Sequence, residues 1–131
     1  MVVLKGIPSV LSPELLYTLA RMGHGDEIGI GIPRLLEAML QLFPMDTYVP
    51  EPAAVMDLVD SDKVKDLKVP VWEEYKKLLC KAGCEAPLEK VERFSFYERA
   101  KNAFAVVATG ETALYGNLIL KKGVISPSDL V

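Results

Sequence analysis

The stretch SPELLYTLARMGHGDEIGIGIP, residues 12–33, contains the order of elements that decides the fold. Ser12 followed by Pro13 is typical of a helix start, because serine caps the first turn and proline fits the first helical position. Leucines at helical spacing then predict an apolar stripe, and Gly23 is predicted to end the helix as its C-terminal cap. Alternating isoleucine and glycine at 28–32 predict a short strand, although glycine weakens that pattern.

Helical and extended patterns keep alternating along the chain. Further helices are predicted at residues 33–43, 71–82 and 96–104. Ser95 and Glu98 form the S-x-x-E pattern of a capping box for the last of these. Further strands are predicted at residues 47–49, 91–94, 105–108 and 118–120, and a charged surface loop at 60–68. The 131 residues therefore predict the α/β class: a single compact domain over 1–131, with a small sheet flanked by about four helices.

The composition favours a protein that buries apolar surface between subunits. Half of the residues are hydrophobic, which is high for so short a chain, so we expect a homo-oligomer; a monomer with an apolar core is the alternative. The net charge of −3 offers no excess of positive charge for the phosphate backbone, so no nucleic-acid partner is expected. Neither a membrane-spanning run nor a signal peptide is recognisable, so no membrane partner is expected and the predicted location is cytoplasmic.

His24 is the only histidine and the first candidate catalytic residue. It lies between two glycines, so its ring is expected to be accessible. Asp26 and Glu27 follow it, and a carboxylate nearby is expected to orient the imidazole and adjust its pKa. A lone histidine in a polar turn is more often an ordinary surface residue, and both interpretations remain open. Cys80 and Cys84 are interpreted as reduced thiols, since a zinc site needs more ligands and a disulfide at this helical spacing is awkward.

Three other places carry candidate site residues, each with an ordinary structural alternative. Asp46 is typical of a turn or cap, and Tyr97 of a core aromatic. The segment Tyr115–Asn117 is either a plain turn or a way to present a phenol and an amide to a ligand rich in hydroxyl groups. The glycines near residue 30 are followed by no lysine, which excludes a nucleotide-binding phosphate loop.

Several ordered motifs resemble the fucose mutarotase / ribose pyranase family. They are Leu11–Leu15, Gly23–Ile28, Asp46–Val49, Ala53–Met56, Phe94–Ala100, Ala105–Glu111 and Tyr115–Asn117. The resemblance covers nearly the whole chain and is closest to the vertebrate L-fucose mutarotases. It implies an isomerase that interconverts the α and β anomers of L-fucose through the open aldehyde, without metal or organic cofactor.

The resemblance also implies roles for individual residues. His24 is similar to the family's general acid/base, and Asp46 and Tyr97 are similar to further active-site residues. The implied sugar contacts are Met56, Tyr97, Tyr115 and Asn117. The family's sites lie near subunit contacts in closed oligomers, which agrees with the apolar composition.

The chain departs from the family pattern directly after Ile28. Family members continue there with an apolar strand into an Ala-Asp-x-Asn-Phe-Pro segment, whose aspartate binds the sugar, whereas this chain continues with residues 29–33, GIGIP. The junction resembles an alternatively spliced or trimmed product, and loss of a strand is expected to expose a sheet edge. Two hypotheses remain: an active mutarotase for L-fucose or a related aldose, and an impaired variant that acts as a sugar-binding or oligomeric interaction module.

Overall fold

The computed structural model describes residues 4–130, in which five α-helices are interspersed with five strands. The helices are α1 (Pro13–Arg21), α2 (Pro33–Met39), α3 (Asp60–Val64), α4 (Pro70–Lys81) and α5 (Arg93–Asn102), followed by a 3₁₀ turn at Pro127–Asp129. The strands are β1 (Glu27–Ile30), β2 (Ala53–Met56), β3 (Glu89–Val91), β4 (Ala105–Val106) and β5 (Leu118–Lys121). The predicted α/β class is confirmed. None of these helices has the length and apolar character that crossing a bilayer requires.

The five strands form one mixed sheet in the order β3-β2-β5-β1-β4. β1 pairs in parallel with β4, and β2 in parallel with β3, while the central β5 runs antiparallel to both β1 and β2. The four other strands therefore point the same way. We call the side where they end the carboxyl edge, and the side where they begin the amino edge.

The two faces of the sheet are covered unequally. Side chains alternate between faces along a strand, so Leu118 and Leu120 of β5 join the large core beneath α1, α2 and α4, whereas Ile119 points to the other face. On that second face α5 packs through Phe96 against Ile119 and Ala54. A single helix thus covers one side of the sheet, which leaves room for a cleft beside it.

The start of α1 agrees with the prediction, whereas its end does not. The Ser12 hydroxyl accepts the Leu15 amide at 3.1 Å, as an N-cap serine should. Gly23 is not a left-handed C-cap: the helix ends because Met22 becomes extended, with φ −68° and ψ 139°. The positive φ of the next turn belongs to Gly25 instead.

The predicted strand at 47–49 and the predicted capping box are wrong. Residues 47–49 form a bend, because the Tyr48 amide donates to the Asp46 side chain rather than to a neighbouring strand, and the strand forms later as β2. The Glu92 carboxylate, not Ser95, caps α5, since it accepts the Phe94 and Ser95 amides.

Other boundaries also differ from the prediction, and α5 begins at Arg93 rather than at residue 96 and β4 ends at Val106 rather than at residue 108. β3 ends at Val91, within the strand predicted at 91–94. α2 ends at Met39, before the predicted stop at Pro44. The predicted loop at 60–68 contains the short helix α3.

Gly123 provides a stability test of the contact between β5 and the segment that carries Asp46. A Cβ added at Gly123 would lie 2.8 Å from the Asp46 Cα and would also collide with the Met45 carbonyl oxygen, so the backbone would have to shift. We expect Gly123→Ala to lower the free energy of unfolding by about 1–3 kcal/mol in urea denaturation.

Gly110→Ala is the matched control, because nothing lies within 4 Å of a Cβ added there. It should change the free energy of unfolding by less than about 0.5 kcal/mol. Equal losses in the two variants would contradict the packing assigned to Gly123.

Candidate active site

A histidine–aspartate pair lies at the amino edge of the sheet. The Nε2 of His24 is 3.0 Å from the Oδ1 of Asp46. The His24 side chain is 37% exposed, whereas that of Asp46 is only 4% exposed. The ring of Tyr48 meets the imidazole edge-on, with centroids 4.8 Å apart. With Asp46 bound at Nε2, proton exchange with a ligand is left to Nδ1.

Backbone hydrogen bonds attach the segments of both residues to the end of β5. Gly25, with φ +86°, donates its amide to the Lys122 carbonyl at 2.8 Å. The Asp26 carboxylate accepts the Gly23 amide at 2.7 Å and closes the turn around His24. The amide of Asp46 donates to the Lys121 carbonyl at 3.1 Å. The spacing of the two side chains is therefore fixed by the main chain and not by side-chain contact alone.

Asp46 is held in its ionised form. Burial acts to raise the pKa of this carboxyl, but the hydrogen bond from the Tyr48 amide, the contact with His24 and the charge of Lys121 outweigh burial and lower the pKa below its ordinary value of 3.8. A buried, ionised carboxylate orients a neighbouring imidazole through its hydrogen bond and so fixes which ring nitrogen faces a ligand. The pair therefore has the arrangement of a general acid/base.

A second group of candidate residues lies at the carboxyl edge, around a cleft of about 170 Å³ beside α5. Tyr97 and Asn117 line this cleft and are exposed, and Phe96 and Ile119 contribute apolar walls. Met56 is the last residue of β2, whose register against β5 places it beside Asn117. Hydroxyl-binding groups and an apolar surface thus share one edge.

Tyr115 is also at the carboxyl edge, but its hydroxyl already has protein partners. The hydroxyl donates to Asp62 of α3 and accepts the Val59 amide at 3.3 Å. The bond to Asp62 raises the pKa of Tyr115. Its backbone has φ +58°, and its carbonyl accepts the indole N–H of Trp72 at 3.0 Å. Tyr115 is therefore firmly positioned by α3 and α4.

The candidate residues thus form two groups at opposite edges of the sheet. From Asn117 to Lys122 the extended chain of β5 covers about 16 Å, a distance that one monosaccharide does not bridge. Within one chain, His24 therefore shares no cleft with Tyr97 and Tyr115. The physical reason is the direction of β5. Asn117 precedes its first residue at the carboxyl edge, whereas the carbonyl groups at its other end bind the segments of His24 and Asp46 at the amino edge.

The comparisons with known proteins agree with this fold. The model of the RbsD / FucU transport protein family matches residues 29–125. The chain belongs to this family. It is 59% identical to fucose mutarotase of Homo sapiens over 154 residues, with all of both chains covered, and 60% identical to that of Mus musculus over 148 residues, with 95% and 97% covered. A solved structure of fucose mutarotase from Streptococcus pneumoniae in complex with L-fucose has a TM-score of 0.84 at 38% identity, with 94% and 100% of the chains covered.

This chain is shorter than its alignment with the human relative, and its connection between β1 and α2 is only two residues long. The alignment with the human relative runs over 154 residues although this chain has 131, so the alignment opens gaps in this chain. The family match begins at Gly29, directly after the Ile28 where the sequence departs from the pattern. In the structure only Gly31 and Ile32 separate β1 from α2. Neither residue carries a carboxylate or any other polar side chain.

The cysteines belong to neither group of candidate residues. Cys80 is exposed and Cys84 half-buried, both as thiols, and burial raises the pKa of Cys84. Among residues 4–130, no three His, Cys, Asp or Glu side chains converge as metal ligands would.

The contact of Tyr48 with His24 was not predicted from the sequence. The ring of Tyr48 covers one edge of the imidazole and its amide binds Asp46, so this residue holds both members of the pair. The only signal for it was its place in the motif that begins at Asp46.

Asp46→Asn tests the ionised carboxylate through the pH dependence of stability. Because the folded state lowers the pKa of Asp46, its contribution should be complete above the ordinary value of 3.8 and should disappear as the pH falls through the folded-state pKa. We expect the variant to lose about 1 kcal/mol of unfolding free energy at pH 7, and the difference from wild type to shrink as the pH falls below 3.8 and through the folded-state pKa.

Urea denaturation across this pH range measures the difference, with Asp129→Asn as a control at an exposed aspartate. A gap between wild type and Asp46→Asn that stays constant from pH 7 to pH 3 would contradict the lowered pKa.

Proposed function

We propose that the protein interconverts the α and β anomers of L-fucose by acid/base ring opening. The observation that carries the proposal is the exposed imidazole of His24 bound by the buried, ionised carboxylate of Asp46. Support comes from the 59% identity to human fucose mutarotase and from the likeness to a fucose mutarotase crystallised with L-fucose. Imidazole is suited to this reaction because it gains and loses a proton near neutral pH.

The reaction needs one proton removed and one delivered. A base takes the proton of the anomeric hydroxyl, the bond between C1 and the ring oxygen breaks as the C1 aldehyde forms, and an acid protonates the ring oxygen. After rotation about the C1–C2 bond, the same steps in reverse close the ring on the other face of the carbonyl. His24 serves in both directions, and Asp46 orients its ring. Proton transfer of this kind contributes about 10²–10⁴-fold in rate.

The carboxyl edge supplies the recognition that a deoxy sugar requires. We assign hydroxyl contacts to Tyr97, Asn117 and Tyr115, and an apolar contact with the C6 methyl group to Met56. Tyr115 can act here only as an acceptor, because its hydroxyl proton is donated to Asp62. Tyr97 and Asn117 line the cleft and are exposed, as sugar-binding groups must be. Tyr97 is also the candidate for the complementary proton donor or relay.

A complete site then requires two copies of the chain. Because the amino-edge pair and the carboxyl-edge cleft lie about 16 Å apart along β5, the proposal places the amino edge of one copy against the carboxyl edge of the next. Both edges expose large apolar side chains: Tyr48 at the amino edge, and Phe94, Val106 and Leu114 toward the carboxyl edge. Subunit contacts commonly bury apolar side chains that are exposed in the single chain, which agrees with a homo-oligomer.

The short connection after β1 favours a second candidate, an impaired variant that binds sugar or joins oligomers without accelerating mutarotation. The observation behind it is that Gly31 and Ile32 stand where the family's ligand-binding aspartate segment is expected. Within the proposal, the chain is a spliced or trimmed form of a longer mutarotase. The unpaired thiols of Cys80 and Cys84 suit the reducing cytoplasm proposed as its location.

Magnetisation-exchange NMR on L-fucose separates the two candidates. Wild-type protein should accelerate α/β exchange above the buffer rate, and His24→Ala should lower the enzymatic rate by about 10²–10⁴-fold, because the proton carrier is gone. Lys65→Ala, at an exposed position of the α3–α4 connection, should keep the wild-type rate. Wild-type exchange at the buffer rate would remove the mutarotase proposal and leave the impaired variant.

Mixing two inactive variants tests whether the site spans two copies. His24→Ala and Asn117→Ala each damage one edge, so co-expressed at equal amounts they should restore about a quarter of the wild-type exchange rate through interfaces that pair two intact edges. Each variant alone should stay near the buffer rate. No recovery in mixed oligomers of confirmed composition would place the whole site within one chain.

A further inference from the structure

We propose that Glu111 is a positioning residue of the sugar site, because its carboxylate attaches the loop that carries Tyr115 and Asn117 to the β1–α2 connection. The inference rests on the proposed function in naming L-fucose as the ligand. Its structural part stands on contacts within the chain that do not depend on the reaction.

Both oxygens of the Glu111 carboxylate are used by other segments. Oε2 accepts the amide of Ile32, in the β1–α2 connection, at 3.0 Å, and lies 3.4 Å from the hydroxyl oxygen of Tyr75 in α4. Oε1 accepts the amide of Ala113, in the loop itself, at 2.8 Å. The hydroxyl of Tyr75 in turn donates to the carbonyl of Gly116. One side chain thus joins a strand–helix connection, a helix and the loop that precedes β5.

Two glycines make room for this side chain. A Cβ at Gly116 would lie 2.8 Å from Cγ of Glu111, and a Cβ at Gly31 would lie 3.2 Å from Cβ of Glu111. Ile32 next to Gly31 has φ +64°, a conformation that a β-branched residue rarely adopts. In this conformation the Ile32 amide donates to the Glu111 carboxylate, so the hydrogen bond stabilises the unusual backbone.

Glu111 affects the reaction only through its neighbours. It lies at the carboxyl edge, whereas the His24–Asp46 pair lies at the amino edge of the same chain, and its oxygens are occupied by amides and a buried hydroxyl. It therefore orders Tyr115 and Asn117 for binding and takes no part in proton transfer. Its loss should weaken sugar affinity much more than it slows turnover.

Trp72 gives a direct optical readout of the loop. It is the only tryptophan, and its indole N–H donates to the Tyr115 carbonyl at 3.0 Å. Release of the loop would expose the indole to water and move its emission to longer wavelength. This measurement needs no sugar and no catalysis.

The experiment compares Glu111→Gln and Glu111→Asp with wild type, using Glu14→Gln at an exposed position of α1 as control. For both Glu111 variants we expect the Kd for L-fucose and the KM for anomer exchange to rise about tenfold, kcat to change less than about twofold, and Trp72 emission to shift to the red. Glu111→Asp keeps the charge but shortens the reach, which retains a test if Glu111→Gln does not fold. All measurements are made well below each variant's Tm.

The outcomes separate failure of this inference from failure of the proposed function. Wild-type affinity and emission in both variants would overturn the role of Glu111, as would a fall in kcat at unchanged Kd. If the wild type itself shows no exchange above buffer, the proposed function fails, and the inference is then decided by L-fucose binding and Trp72 emission alone. A loss of stability without any change in affinity would mean that Glu111 is merely structural and would also overturn it.

Discussion

The pairing of β5 with two neighbours of opposite direction is the constraint on which the rest of the structure depends. Four residues, Leu118–Lys121, form the middle of the sheet, hydrogen-bonded to β1 on one side and β2 on the other. Without β5 the two parallel pairs would have no common sheet and no shared core. Its direction also determines where the candidate site residues lie. The residues before the strand lie at the carboxyl edge, and the residues after it contact the turn of His24.

Some of the local structure could be predicted from the sequence, whereas other parts could not. The apolar run 118–120 and the α4 stripe with Trp72, Tyr75 and Leu79 were predictable, because burial forces a local period on the residues. The bend at Tyr48 was not, because it depends on a hydrogen bond from its amide to Asp46 that competes with strand pairing. The cap at Glu92 was missed for a similar reason, since S-x-x-E offers an equally good local pattern three residues later.

The candidate site was predictable as a set of residues but not as an arrangement. Motifs identified His24, Asp46, Tyr97 and Asn117, yet nothing in their spacing shows on which edge of a sheet each one lies. That information is in the strand directions, which depend on long-range pairing. Glu111 illustrates the same limit, because a glutamate in a Thr-Gly-Glu turn gives no local sign that it reaches Ile32 and Tyr75.

The two outermost strands are very short, with three residues in β3 and two in β4. Edge strands this short present few unpaired N–H and C=O groups to the backbone of another chain. They therefore disfavour edge-to-edge aggregation. Association of copies must then depend on side-chain shape and chemistry, which recognise a partner selectively. The two borders of this sheet therefore offer little backbone on which aggregation could begin.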